Sequence, residues 1–124
     1  MTEERYQALR DQVHTRAGDA VRAIARYGTD DWELLYVRED VATDGLQEAA
    51  PTLVERARDR EPIITPDSYD LVGSTQATVE LHELAAVVFL HESPTEGVVI
   101  SLERDVAQGL GQFVNSCTAV LRDA

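Results

Sequence analysis

Apolar residues recur along this chain with two periods, and the change from one to the other marks the elements. In residues 3–17, Tyr6, Leu9, Val13 and Ala17 fall at three- and four-residue steps, an apolar stripe that predicts a helix. Thr2 suits its N-cap, Glu3 and Glu4 suit the positive end of its dipole, and Gly18 suits the position just past its end. Residues 19–28, DAVRAIARYG, fit both periods. Val21, Ile24 and Tyr27 keep helical spacing, while Val21, Ala23, Ala25 and Tyr27 also alternate with Arg22, Ile24 and Arg26. The turn formers of GTDD, 28–31, and the aromatic, branched run WELLYVRED, 32–40, favour the second choice, a strand leading into a hairpin.

Helical spacing returns at Leu46, Ala49, Leu53, Val54 and Ala57, running to about Arg60. Asp44 and Gln47 resemble a capping box, and Pro51 requires that the helix either start there or kink. EPIITPDS, 61–68, reads as an extended loop. Residues 69–103 then predict three strands: YDLVGSTQATVELHE, LAAVVFLHE and VVISLE, the last two joined by the turn SPTEG. The middle one is apolar on both faces, as at the centre of a covered sheet. Val106, Leu110, Phe113, Val114, Cys117 and Leu121 form a closing helical face, whose Gly109 and Gly111 point to close packing on something flat, a sheet. The order is α-β-β-α-β-β-β-α. It predicts an α+β fold with a five-stranded, mostly antiparallel sheet packed with helices. No repeat or linker marks a second domain, so residues 1–124 read as one.

Charge narrows the setting. Acidic residues number 23 against 11 basic ones, the net charge is −12, and every basic residue is arginine. Such a surface repels itself in ordinary salt, and multimolar salt screens that repulsion by cutting the Debye length below about 3 Å. The same balance disfavours phosphate backbones and anionic membranes, so neither nucleic acid nor membrane is an expected partner. The run 84–90 is too short to span a bilayer, and no apolar segment follows the charged MTEER start, so the expected location is the cytoplasm. Cys117 is alone, which excludes a disulfide framework.

The element order, over nearly the whole chain, resembles the roadblock (dynein light-chain type) and profilin-like fold. The acidic, lysine-free composition resembles that of small proteins of extremely halophilic archaea. Roadblock-type modules commonly act without catalysis, as dimeric platforms for small GTPases or other regulators, so the resemblance implies an interaction module.

Candidate chemistry concentrates in TVELHELAAVVFLHES, 78–93, with His82 and His91 among Glu80, Glu83 and Glu92. A hairpin turning at 83–86 would set His82 opposite Val87, Glu80 opposite Phe89 and Thr78 opposite His91. His91 then lies four residues beyond the point opposite His82, roughly 13 Å, too far to share an ion whose nitrogen ligands sit at about 2.0–2.1 Å. His14, off the first stripe, is expected in solvent. Cys117 reads as core and inert. Ser74 and Ser101 lack a nucleophile-elbow motif. No cofactor motif occurs.

Trp32, Leu34, Tyr36 and Arg38 share one face of the second strand by alternation, with Asp40 just beyond. Trp32, Tyr36, Arg38 and Asp40 are therefore the candidate partner surface, since aromatics and arginine are enriched at hot spots. Facing the core with Arg38 snorkelling is the plainer alternative. The expectation is a non-catalytic cytoplasmic interaction or regulatory module of a halophilic archaeon, homodimeric and serving a protein partner. A small-ligand sensor of PAS or GAF type is the alternative, and an enzyme using His82 or His91 a third.

Overall fold

The computed structural model describes residues 2–42 and 45–123, without the side chains of residues 2, 3 and 123. The capping roles of Thr2, Glu3 and Asp44 lie outside the described side chains. Helices α1 (Thr2–Ala17), α2 (Glu39–Ala42), α3 (Leu46–Asp59) and α4 (Gln108–Asp123) accompany strands β1 (Val21–Tyr27), β2 (Trp32–Val37), β3 (Ala77–Leu81), β4 (Ala85–Ser93) and β5 (Glu96–Glu103). The strands form one sheet in the order β2-β1-β5-β4-β3, antiparallel at every junction. This is the α+β architecture and element order that the periodicities predict. Residues 21–27 settle as strand, and Gly18, at φ +56°, ends α1 in a left-handed turn. Among the described residues no helix is long and apolar enough to cross a membrane.

Alternation along the strands divides the core in two. On one face, Tyr6 of α1 packs on Val21, Ile24, Val98, Ile100 and Leu102, with Leu9, Val13 and Ala17 beside it as their spacing predicts. Val21 and Ile24 are fully buried, each contributing about 1.5–3 kcal/mol of hydrophobic stabilisation. On the other face, Val54 and Ala57 of α3 pack on Tyr27, flanked by Trp32, Phe89 and Val99. Arginines fasten the edges. Arg58 donates to the carbonyls of Gly28 (2.8 Å) and Asp31 (2.6 Å), clamping the β1–β2 turn to α3. Arg26 pairs with Asp31 at 2.8 Å and depresses its carboxyl pKa, chiefly through that hydrogen bond. Arg58 reaches the two carbonyls with two different nitrogens of its rigid fork, a geometry that the single nitrogen of a lysine does not reproduce.

Several expectations need correction. β5, not β4, is the central strand. Residues 69–76 are not strand: Thr65 and Ser68 close a hydrogen-bonded turn and Asp70–Val72 form a 3-10 turn, so β3 starts only at Ala77. β2 stops at Val37, with Asp40 in α2. α3 begins at Leu46, where its predicted stripe begins, and carries Pro51 inside it, but its buried residues are Ala50, Val54 and Ala57, with Ala49 and Leu53 exposed. His14 is half-buried, edge-on to Tyr36 at 4.4 Å, with Nδ1–H donating to the Arg10 carbonyl at 2.9 Å.

The largest departure is α4. Leu110, Phe113, Val114, Val120 and Leu121 are 37–75% exposed, and Cys117 is exposed rather than core. The helix is moored near its start instead. Arg104 donates to the His82 carbonyl (2.7 Å) and to Asn115 (3.0 Å), and lies across Gly111. Gly111 therefore accommodates an arginine, not a flat sheet.

Candidate functional site

α3 does not cover the whole of its sheet face. Between its Leu46, Ala50, Leu53 and Ala57 and the floor formed by Ala23, Ala25, Leu34, Val87 and Ser101 runs an open groove of about 430 Å³. The groove exists because Ala23, Ala25 and Ser101 in its floor are small where a closed core would need Leu or Ile. Its size and apolar walls fall in the range of small-molecule sites.

One end is polar. Glu80 of β3 pairs with Arg60, just past α3, and accepts a hydrogen bond from His82 Nε2–H at 2.9 Å. Alternation puts Glu80 and His82 on one face, and the two contacts, that to His82 foremost, hold the Glu80 carboxyl below the usual range. Arg60 also lies over the Phe89 ring, 5.5 Å from its centroid. Glu80 orients His82 as an acid–base dyad would require. The hydroxyl among the groove-lining residues, Ser101, lies beyond β4: Glu80 pairs with Val87 and Val87 with Ser101, so two strand spacings, about 10 Å, intervene, and Thr78, two residues before Glu80 on the same face, is bonded to His91. The dyad thus has no nucleophile beside it among these groove residues.

The β3–β4 register is two residues from that expected: Glu80 faces Val87 and Thr78 faces Phe89. The parity, and hence the shared face, is as predicted. His82 N–H bonds the Ala85 carbonyl at 2.8 Å, so the strand from 85 to 91, roughly 20 Å, separates the histidines. His91 Nε2 instead meets Thr78 Oγ1 diagonally at 2.8 Å. Among the described residues no three His, Cys, Asp or Glu side chains gather to hold a metal.

Trp32, Tyr36, Arg38 and Asp40 do not share a face. A bulge shifts the β1–β2 register, so Leu34 pairs with Ala25 but Tyr36 with Ile24. Trp32 consequently lines the groove, while Tyr36 turns to the α1 side. Arg10 donates to the carbonyl of the intervening Leu35 at 2.9 Å, holding the bulge. Arg38 and Asp40 bind each other in a fork, 2.7 and 3.1 Å, and Arg38 also donates to the Asp19 carbonyl at 2.8 Å. These contacts fasten the end of β2.

A second feature is α4. Residues 106–121 form an uncharged run in a chain that is 27% charged. Its exposed apolar residues fall on one arc, with Leu110, Phe113, Cys117 and Val120 at steps of three, four and three, the seam spacing of paired helices. Both signals stand in the sequence. The missing charge was the one to weigh, because amphipathicity alone fits a helix on its own sheet equally well.

Residues 7–122 match the family described as Domain of unknown function (DUF7522). No curated protein and no solved structure matches the chain.

Proposed function

The chain belongs to the DUF7522 family, and we propose that it is a non-catalytic interaction or regulatory module, a homodimeric platform for a protein partner in the cytoplasm of a halophilic archaeon. The observation that carries this reading is the exposed, charge-free apolar face of α4 on a protein of net charge −12. Large apolar patches on otherwise charged surfaces mark contact sites. Ile63 and Leu71, 99% and 79% exposed in the loop between α3 and β3, offer a second contact surface of the same kind. Multimolar salt favours both contacts, since it screens charge repulsion and leaves the apolar attraction.

The test is affinity purification from a halophilic host in molar KCl, with a tag placed away from α4. The expected result is a protein that co-elutes in fixed proportion and is lost when Ile63 and Leu71 become Ser. Recovery of the chain with no protein in fixed proportion would overturn the platform role.

The groove supports a second reading, a small-ligand sensor. Its occupant would be an apolar molecule reaching the Arg60–Glu80–His82 end with a polar group. Trp32 is the sole tryptophan and lines the groove, so its fluorescence reports occupancy. Saturable quenching or a blue shift with apolar carboxylic acids or amines supports the sensor; an unchanged spectrum across the panel removes it.

A further inference from the structure

Resting on the interaction-module reading, we infer that a second copy of this chain covers α4, and that the two α4 helices pair along Leu110, Phe113, Cys117 and Val120. Four observations select this occupant over the others. The spacing of these residues is one that a seam between two helices uses. Val114 and Leu121 flank the seam on the same arc, widening it as helix pairs require.

The area is sufficient. With exposures of 46% for Val106, 47% for Leu110, 66% for Phe113, 69% for Val120 and 75% for Leu121, each chain presents roughly 500 Å² of apolar surface there. A two-fold pair would hide about 1,000 Å², the size at which specific interfaces begin.

Charge selects the partner as well. Two chains of net charge −12 repel across most surfaces they could bring together. An uncharged helix is the element on which two such chains can meet without opposing carboxylates directly, and self-pairing needs no complementary cation. An anionic membrane would face the rest of the acidic surface, so a lipid occupant is disfavoured.

The mooring fits. Arg104, bonded to the His82 carbonyl and to Asn115, fixes the first turns of α4 to the β3–β4 turn. Asn115 lies across the helix from Phe113, Cys117 and Val120, so the mooring leaves the seam facing outward. A two-fold contact needs a surface of this kind, one patch presented identically by both copies.

Cys117, the only cysteine, lies within the seam and reports its state. The experiment combines light scattering after size exclusion with the rate of thiol modification by a small aromatic disulfide, at tens of micromolar protein in molar KCl. Wild type is expected to be a dimer whose Cys117 reacts at least tenfold more slowly than a free thiol. Phe113→Glu should be a monomer with a fast thiol and an unchanged circular dichroism melt of the sheet, because Phe113 is exposed within its own chain. Leu110→Glu is the second variant, should the first misfold.

A wild-type dimer that survives both substitutions with a reactive Cys117 would overturn the seam and move the contact elsewhere, to the β3 edge for instance. A wild-type monomer, whether its thiol is fast or protected, would overturn the second copy as occupant. A monomer would also remove the homodimer from the proposed function, while the binding of a protein partner stands or falls separately, on the co-elution experiment and its Ile63 and Leu71 variants.

Discussion

Gly97→Ala should be among the most damaging single-methyl changes this chain can suffer. Gly97 pairs with His91 on one side and Tyr27 on the other. A Cβ there would lie 2.4 Å from the Leu90 carbonyl oxygen, 2.7 Å from Tyr27 Oη and 3.0 Å from Tyr27 Cζ. Neither neighbour can yield cheaply. The carbonyl belongs to the adjacent ladder, and Tyr27 is 2% exposed and held against Val54 and Ala57. Overpacking of this kind costs about 1–3 kcal/mol, and weakening one ladder hydrogen bond adds about 1 kcal/mol. A loss of about 2–4 kcal/mol lowers the melting temperature of a chain this size by roughly 10 °C. Urea is the suitable denaturant, because guanidinium would itself alter the screening. Gly109→Ala is the control: no atom lies within 4 Å of its Cβ position, and a helical glycine replaced by alanine gains up to about 1 kcal/mol. If Gly97→Ala unfolds within about 0.5 kcal/mol of wild type in the same molar KCl, the crossing of Tyr27 over β5 is wrong.

Three further outcomes are expected. Because His82 and Arg60 lower the folded-state pKa of Glu80, its contribution is complete above the unfolded value of about 4.3 and fades as pH falls through the folded value. Glu80→Gln should therefore differ most from wild type above the unfolded carboxylate range and converge on it as pH falls through the lowered folded value, in urea midpoints measured at fixed salt; a constant difference would remove the ion pair. His82→Gln and His91→Gln, separately and together, should leave metal content unchanged by elemental analysis, and stoichiometric zinc lost in either variant would refute the 20 Å separation. Folding should require salt: circular dichroism across a KCl series should show cooperative structure only well above ordinary ionic strength, and a full native signal in dilute buffer would sink the halophilic reading.

What could be read from the chain was whatever one element decides for itself. The α1 stripe and the shared face of Glu80 and His82 follow from period, the β1–β2 hairpin from the turn formers and the strand beside it, and the structure reproduces them. What could not be read depends on a second element. The β2 bulge, which parts Trp32 from Tyr36, forms where Leu35 packs toward the α1 side and Arg10 of α1 meets its carbonyl. The two-residue register shift follows from a tighter turn than Leu84 and its neighbours announce, with His82 bonded directly to Ala85. The groove is a sum over residues on five strands and a helix, and no local window contains it.

α4 marks the boundary most sharply. Its amphipathic pattern fixes which face must be covered, since exposed Phe113, Val120 and Leu121 are costly in water. The pattern does not say whether the cover is the helix's own sheet or another molecule. Charge does bear on that choice. A helix packed on its own sheet normally keeps a charged outer face, and the stretch 106–121 has none on any side. A stretch uncharged all round, in a chain otherwise crowded with carboxylates, is suited to lie between surfaces, and the outward-facing α4 of a second copy offers such a surface.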